Sequence, residues 1–198
     1  IKINGPDEIT KISNNIITTS GNGLWINGGG FDIDYNIIDC DGLGMDILNL
    51  SDVTIYNNTM IGNGDNLAIM INDDSGVFIV NNIISNFETG INTQSIIQEI
   101  IFNNFWENEY DFAEGLTYPL IPLNIGIICC TNINGDPSDP YKNIFMDPLF
   151  FNTPVPFLNS LFNEDYHIPQ NSPCVDAGDE DFTDANGSIS DIGAYPAI

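Results

Sequence analysis

Two short strings recur through the first 112 residues at a common interval, and this regularity constrains the fold more than any other feature. The first reads Ile12-Ser13-Asn14-Asn15, Ile33-Asp34-Tyr35-Asn36, Ile55-Tyr56-Asn57-Asn58, Ile79-Val80-Asn81-Asn82 and Ile101-Phe102-Asn103-Asn104. Its last Asn falls at 15, 36, 58, 82 and 104, intervals of 21, 22, 24 and 22 residues. The second reads Ile1-Lys2-Ile3-Asn4, Leu24-Trp25-Ile26-Asn27, Asp46-Ile47-Leu48-Asn49 and Ile69-Met70-Ile71-Asn72, at intervals of 23, 22 and 23. Two patterns in step at about 22 residues mark a repeat architecture.

Each unit alternates apolar, mostly β-branched residues over three to five positions and is punctuated by Gly, Asn and Asp. That is strand periodicity, and the 3.6-residue period of a helix does not fit it. A strand so short cannot bury its inner face alone, so successive turns of chain must stack, Ile upon Ile. The fold class is therefore all-β: a parallel β-helix of about 22 residues per coil, with coils roughly 4.8 Å apart. A side-chain amide at a turn can bond the local backbone and the amide one coil above, which makes Asn15, Asn36, Asn58, Asn82 and Asn104 the expected ladder. The 33 Ile and 28 Asn of the composition are then core stack and ladder.

Charge narrows the function. Against 28 Asp and Glu stand Lys2, Lys11 and Lys142 and no Arg, a net charge of -25. Neutralising nucleic-acid phosphates needs many basic side chains, so a nucleic-acid binder is excluded. Gripping anionic substrates through an Arg fork is disfavoured for the same reason. With 42% hydrophobic residues the chain is not of disordered composition, and no apolar run is long enough for a membrane span.

The tail carries Asp147-Pro148-Leu149-Phe150, Asp165-Tyr166-His167-Ile168, Ser172-Pro173-Cys174-Val175-Asp176-Ala177-Gly178-Asp179 and Asp191-Ile192-Gly193-Ala194-Tyr195. This series resembles the closing segment of secreted bacterial and archaeal β-helix proteins. The first 112 positions are similar to the right-handed parallel β-helix repeats of extracellular polysaccharide-active and surface proteins. The resemblance implies the right-handed sense, an extracellular or cell-surface location and a carbohydrate context, and no single reaction. Polyuronate lyases of this architecture use an Arg or Lys beside calcium; here there is no Arg, and only Lys11 sits on a coil face away from the chain start.

Regular coils with the ladder occupy residues 1–112, irregular last coils and loops 113–145, and a C-terminal cap or cover 146–198, all in one structural domain. The run Leu123-Asn124-Ile125-Gly126-Ile127-Ile128 is expected to form a strand of a further coil. Ile1 reads as mid-coil, which suggests a mature segment of a longer exported chain and an open first coil. Such an edge is covered by an upstream segment, by neighbouring domains of a longer chain or by another subunit.

Outward positions flanking the first string run Lys11/Ser13, Asp32/Asp34, Thr54/Tyr56, Phe78/Val80 and Ile100/Phe102, turning apolar over the last coils. In the second string they run Lys2, Trp25, Ile47 and Met70. Either Phe150, Phe151, Val155, Phe157, Leu161 and Phe162 of the tail fold over one such face, or Trp25, Ile47, Met70, Phe78 and Phe102 form an interface or sugar platform.

Glycoside hydrolysis needs two carboxylates about 5 to 9.5 Å apart, a role open to Asp32, Asp34 and Asp46 of the second coil and its turns. Calcium is the better chemical match. Asp184, Asn186, Ser188 and Asp191 place oxygens at relative positions 1, 3, 5 and 8 around Gly187, although Tyr195 stands where a bidentate Glu would complete a calcium loop. The competing structural role is an Asx-rich turn bonding its own backbone. Asp73-Asp74 is a vaguer acidic turn. Cys130 or Cys129 could join Cys174 and fasten the cover, Cys129 and Cys130 could bond each other, and Cys40 is read as buried. His167, the sole histidine, is read as a packing residue. Asn49-Leu50-Ser51, Asn57-Asn58-Thr59 and Asn186-Gly187-Ser188 match the glycosylation pattern, as chance allows in so Asn-rich a chain.

These features point to a non-catalytic extracellular structural or adhesive module of a cell-surface protein or filament. Its expected partners are itself, neighbouring domains or a surface polysaccharide, with structural calcium as the one implied cofactor. The alternative is a carbohydrate-active enzyme, a glycoside hydrolase or lyase-like protein, or a sugar-binding module.

Overall fold

The computed structural model describes residues 1–4, 9–48, 52–72, 76–114, 120–151 and 166–198. The Asp73-Asp74 turn, the Asn49-Leu50-Ser51 sequon and Val155, Phe157, Leu161 and Phe162 lie outside the described residues.

Five turns of chain stack into a right-handed three-sided prism of parallel sheets. The first sheet holds β1 (Lys2–Asn4), β4 (Leu24–Asn27), β7 (Met45–Leu48), β10 (Leu67–Ile71), β13 (Thr89–Thr93) and β16 (Tyr110–Glu114). The second holds β2 (Thr10–Ser13), β5 (Phe31–Asp34), β8 (Val53–Tyr56), β11 (Val77–Val80) and β14 (Ile97–Ile101). The third holds β3 (Ile16–Thr19), β6 (Ile37–Cys40), β9 (Thr59–Ile61), β12 (Ile83–Ser85) and β15 (Asn104–Trp106). Inward columns are apolar: Ile12, Ile33, Ile55, Ile79 and Ile100 on the second sheet, and Ile17, Ile38, Met60, Ile84 and Phe105 on the third. Among the described residues no helix is long and apolar enough to cross a membrane.

The corner between the second and third sheets explains the Asn doublets. Asn14, Tyr35, Asn57, Asn81 and Phe102 turn the chain there at φ of 50 to 57°. Asn tolerates this left-handed region better than most side chains, so Asn14, Asn57 and Asn81, the first residues of three doublets, make the bend. The second Asn is the rung. Asn15, Asn36, Asn58 and Asn82 each donate a backbone N–H and a side-chain N–H to the Oδ1 of the next rung, at 2.9–3.0 Å.

The rung after Asn82 is Asn103, not Asn104. Pairing shifts between Val77 and Phe78: Val77 faces Ile97, Phe78 faces Glu99, and Ile79 then faces Ile100. One extra residue in β14 bulges, so Ile100 points inward, Phe102 takes the corner and Asn103 the rung. Asn104 instead lies beneath the tail, donating to the Met146 carbonyl at 2.9 Å. The ladder continues from Asn103 to Asn143 and ends on the buried Asp139 carboxylate, 3.0 Å from the Asn143 amide. A carboxylate is all acceptor, so it closes a chain of donors without demanding another rung.

Two covers complete the fold. Ile121, Ile125 and Phe145 pack on the last coil together with Phe112. Leu123–Ile128 is a turn rather than a strand, with Asn124 and Gly126 at φ 65° and 74°, and Leu123, Ile127 and Ile128 face solvent. Residues 166–198 lie on the outer face of the third sheet, where Ile37, Ile61 and Ile83 meet Tyr166, Ile168, Ile192 and Ala194. The corner amides hold this tail: Asn57 donates to the carbonyl of Asp191 and Asn81 accepts from the amide of Asp179, both at 2.9 Å. At Gly193, φ is 110° and an added Cβ would sit 2.7 Å from Ile83, so only glycine lets the tail lie this flat.

Candidate functional site

Asp32, Asp34 and Asp46 do not converge. Asp32 and Asp34 belong to β5 in the second sheet and Asp46 to β7 in the first. Asp34 is fully buried, accepting from the hydroxyls of Ser13 and Tyr56 and from Lys11 Nζ at 2.8 Å. Tyr56 in turn stacks on Phe182 of the tail, ring centroids 5.8 Å apart. Burial and the hydrogen bond to Asp34 push the Tyr56 phenol well above its ordinary range. A carboxylate enclosed in this way braces three coils laterally and has no room for a sugar. Asp46 accepts from Asn72 at 3.0 Å.

The five platform residues are scattered as well. The outward column of the first sheet is Lys2, Trp25, Asp46, Met70, Asn92 and Ala113. Ile47 pairs with Ile26 and Ile71 and is buried in the core, because Asp46 rather than Ile47 stands in register with Trp25. One face of Trp25 is taken by Lys2 Nζ, 3.9 Å from the ring centroid, a cation–π contact. Phe78 stands on the second sheet between Thr54 and Glu99, and Phe102 at the corner.

The residues that do share a cavity were not legible as a set. A groove of about 280 Å³ runs between the third sheet and the start of the tail, lined by Ile61, Ser85, Asn86, Trp106, Glu107 and Asp147–Phe150. Ile61, Ser85 and Trp106 are consecutive outward positions of β9, β12 and β15, which places the indole at the end of that column. The opposite wall is set by an Asx turn: Asp147 Oδ1 accepts the Leu149 amide at 2.8 Å, and Leu149 takes φ 58°. Glu107 is also left-handed, at φ 55°, where the preceding coil places Asn86 at 61°. Two residue types that rarely adopt this conformation therefore line one groove, the kind of local strain that accompanies binding sites. A wider hollow of about 530 Å³ adjoins it through the shared Asp147 and Leu149.

A family model for the right handed beta helix region matches residues 1–114, more than half of the chain. The chain belongs to this family. No curated protein and no solved structure matches it significantly. In this β-helix the groove straddles the end of the matched repeat, with Trp106 and Glu107 inside it and Asp147–Phe150 beyond it. Its character is thus a property of this chain's tail.

The calcium candidates in this β-helix form a self-bonded turn. Asn186 Oδ1 accepts the amide and hydroxyl of Ser188, at 2.8 and 2.7 Å, and Asp184 Oδ2 accepts the Asp191 amide at 3.2 Å. Asp191 receives the amides of Asp176 and Ala197, both at 2.7 Å. Among the described residues no three His, Cys, Asp or Glu side chains gather as a metal-holding group. Burial pushes Asp184 and Asp191 above the usual carboxylate value, and negative neighbours add to it.

All four cysteines are free. Cys174 is not bridged to Cys130 or Cys129. It is buried under the tail and its sulfur accepts from Asn104 Nδ2 at 3.1 Å, whereas the sulfurs of Cys129 and Cys130 lie 3.5 Å from each other. Cys40 is buried. His167 stacks on Tyr195 with centroids 4.6 Å apart.

Proposed function

We propose that this β-helix is a non-catalytic extracellular structural or adhesive module of a cell-surface protein or filament, holding neutral carbohydrate in the Trp106 groove. The observation that carries the reading is the composition of that groove. An indole and the ring of Phe150 line it with hydrogen-bonding Ser85, Asn86, Glu107 and Asp147 and no cation. Sugar rings stack their C–H faces on aromatics while their hydroxyls need neutral or acidic acceptors, and carboxylates with a net charge of -25 repel uronates. Self-association fits the exposed apolar side chains at both ends, Ile9 and Ile16 on the first coil and Leu123, Ile127 and Ile128 on the C-terminal cover. Calcium at the Asp184–Asp191 turn belongs to the same proposal, since a divalent cation would offset the burial and the negative neighbours that raise both carboxyls.

Calorimetric titration against a panel of neutral oligosaccharides tests the binding. Trp106→Ala is expected to weaken the best binder at least about tenfold, as loss of an aromatic contact worth more than about 1.4 kcal/mol would, with little change in Tm. Equal affinity in the variant, or binding by no member of the panel, defeats the proposal. A glycoside hydrolase is the second reading, favoured by Glu107 and Asp147 lining one groove. Release of reducing ends that Glu107→Gln abolishes would establish it instead.

A further inference from the structure

The adjacent cysteines occupy a distinct position on the C-terminal cover. Cys129 and Cys130 open a small antiparallel hairpin of β17 (Cys130–Thr131) and β18 (Pro137–Ser138). The Cys129 amide donates to the Ser138 carbonyl at 3.1 Å, and Lys142 Nζ holds the Thr131 carbonyl at 2.9 Å. The backbone around the pair is therefore fixed. Cys129 is exposed and Cys130 half-buried, and their sulfurs are already in contact at 3.5 Å. The other two thiols, Cys40 and Cys174, are buried, so neither competes for an external oxidant.

We propose that Cys129 and Cys130 are a reversible redox site that closes to a vicinal disulfide by exchange with a small-molecule disulfide. The Cys129 thiolate, the more accessible, attacks one sulfur of RSSR and expels RS⁻. Cys130 then loses its proton and attacks the Cys129 sulfur of the mixed disulfide, expelling the second RS⁻. Two protein thiols and one RSSR become one protein disulfide and two RSH, so two electrons pass from the cysteine sulfurs to the small disulfide.

Geometry makes this site switch-like and not a permanent staple. Consecutive Cα atoms across a trans peptide are about 3.8 Å apart, below the 4.4–6.8 Å of ordinary disulfides, so the ring is strained and readily reduced. The contact between the sulfurs makes the second, ring-closing step intramolecular and fast relative to attack by another external thiol. The hairpin's connecting loop carries Asn134 and Asp136 to the wall of the hollow that adjoins the Trp106 groove, so ring closure stiffens one side of the candidate binding region.

The full chain is equilibrated with glutathione disulfide, quenched with acid, alkylated with N-ethylmaleimide, digested and weighed by mass spectrometry. The peptide holding both cysteines is expected to lose two hydrogens and carry no adduct. Cys130→Ser is expected to trap glutathione on Cys129 with at least about tenfold more mixed disulfide than the native chain, since the resolving thiol is gone. Cys129→Ser is expected to react more slowly than Cys130→Ser, and Cys40 and Cys174 to alkylate only after denaturation. A native chain that keeps two free thiols, accumulates the same adduct as Cys130→Ser, or links Cys129 to another chain would overturn the proposal. Circular dichroism of each variant separates these outcomes from loss of fold.

Discussion

Replacing Asn58 with Ala is expected to remove on the order of 3–6 kcal/mol of unfolding free energy, much of what a domain of this size possesses. Asn58 is completely buried in the middle of the ladder. Its Oδ1 takes the backbone and side-chain N–H groups of Asn36, and its Nδ2 gives to the carbonyls of Ile33 and Tyr56 and to Asn82 Oδ1. Alanine leaves at least two of these groups buried without a partner, at about 1–3 kcal/mol each. The exposed end rung supplies the control, because water can replace what Asn15→Ala removes and the loss there should stay near about 1 kcal/mol. Urea unfolding of the two variants checks the difference. Equal losses would mean that the ladder is decoration on a fold held by its Ile stack alone.

Stability is expected to be greatest in mild acid and to decline as pH rises. Burial raises Asp111, Asp184 and Asp191 above the usual 3.8, so between that value and their raised ones the folded chain holds more protons than the unfolded chain. Acidification through that window therefore stabilises the fold, and the gain is complete once the unfolded carboxyls have titrated too. Relief of the -25 charge acts in the same direction. At the alkaline end, burial pushes Cys40 and Cys174 from 9.0 up to about 12. Unfolded thiols ionise first, so stability falls above pH 9, by on the order of 4 kcal/mol for each thiol at pH 12. Tm should fall from mild acid to neutral pH and fall again above pH 9. A Tm that climbs between pH 5 and 8 would contradict this assignment. If calcium occupies the Asp184–Asp191 turn, chelation lowers Tm at pH 7, and lowers it less as acidification protonates the same carboxyls.

The repeat was visible because side chains that stack must recur at the coil length, and Ile12, Ile33, Ile55 and Ile79 do. Register was less visible. The string at 101–104 mimics the others, yet the extra residue in β14 moves the rung to Asn103, and string similarity cannot register a bulge upstream of the match. Aligning Asp46-Ile47 with Leu24-Trp25 also erred by one position, since Asp46 pairs with Trp25 and Ile47 with Ile26, and in a strand one position exchanges the core for the surface. Leu123–Ile128 is apolar enough for a strand, but Asn124 and Gly126 set a turn that caps the last coil. The groove joins Trp106 to residues some forty positions later through tail docking, and no local spacing encodes that meeting. One signal was present: an outward column of Thr18, Asp39, Ile61 and Ser85 ends in Trp106, an indole where smaller side chains precede it.

The groove beside Trp106 is the central claim, and amide shifts of the isotope-labelled chain during titration with the best neutral oligosaccharide test it most directly. Shifts centred on Ser85, Asn86, Trp106, Glu107, Leu149 and Phe150 are the expected result. Shifts confined to Trp25, Asp32 and Asp46, or no shifts at saturating sugar, would contradict it.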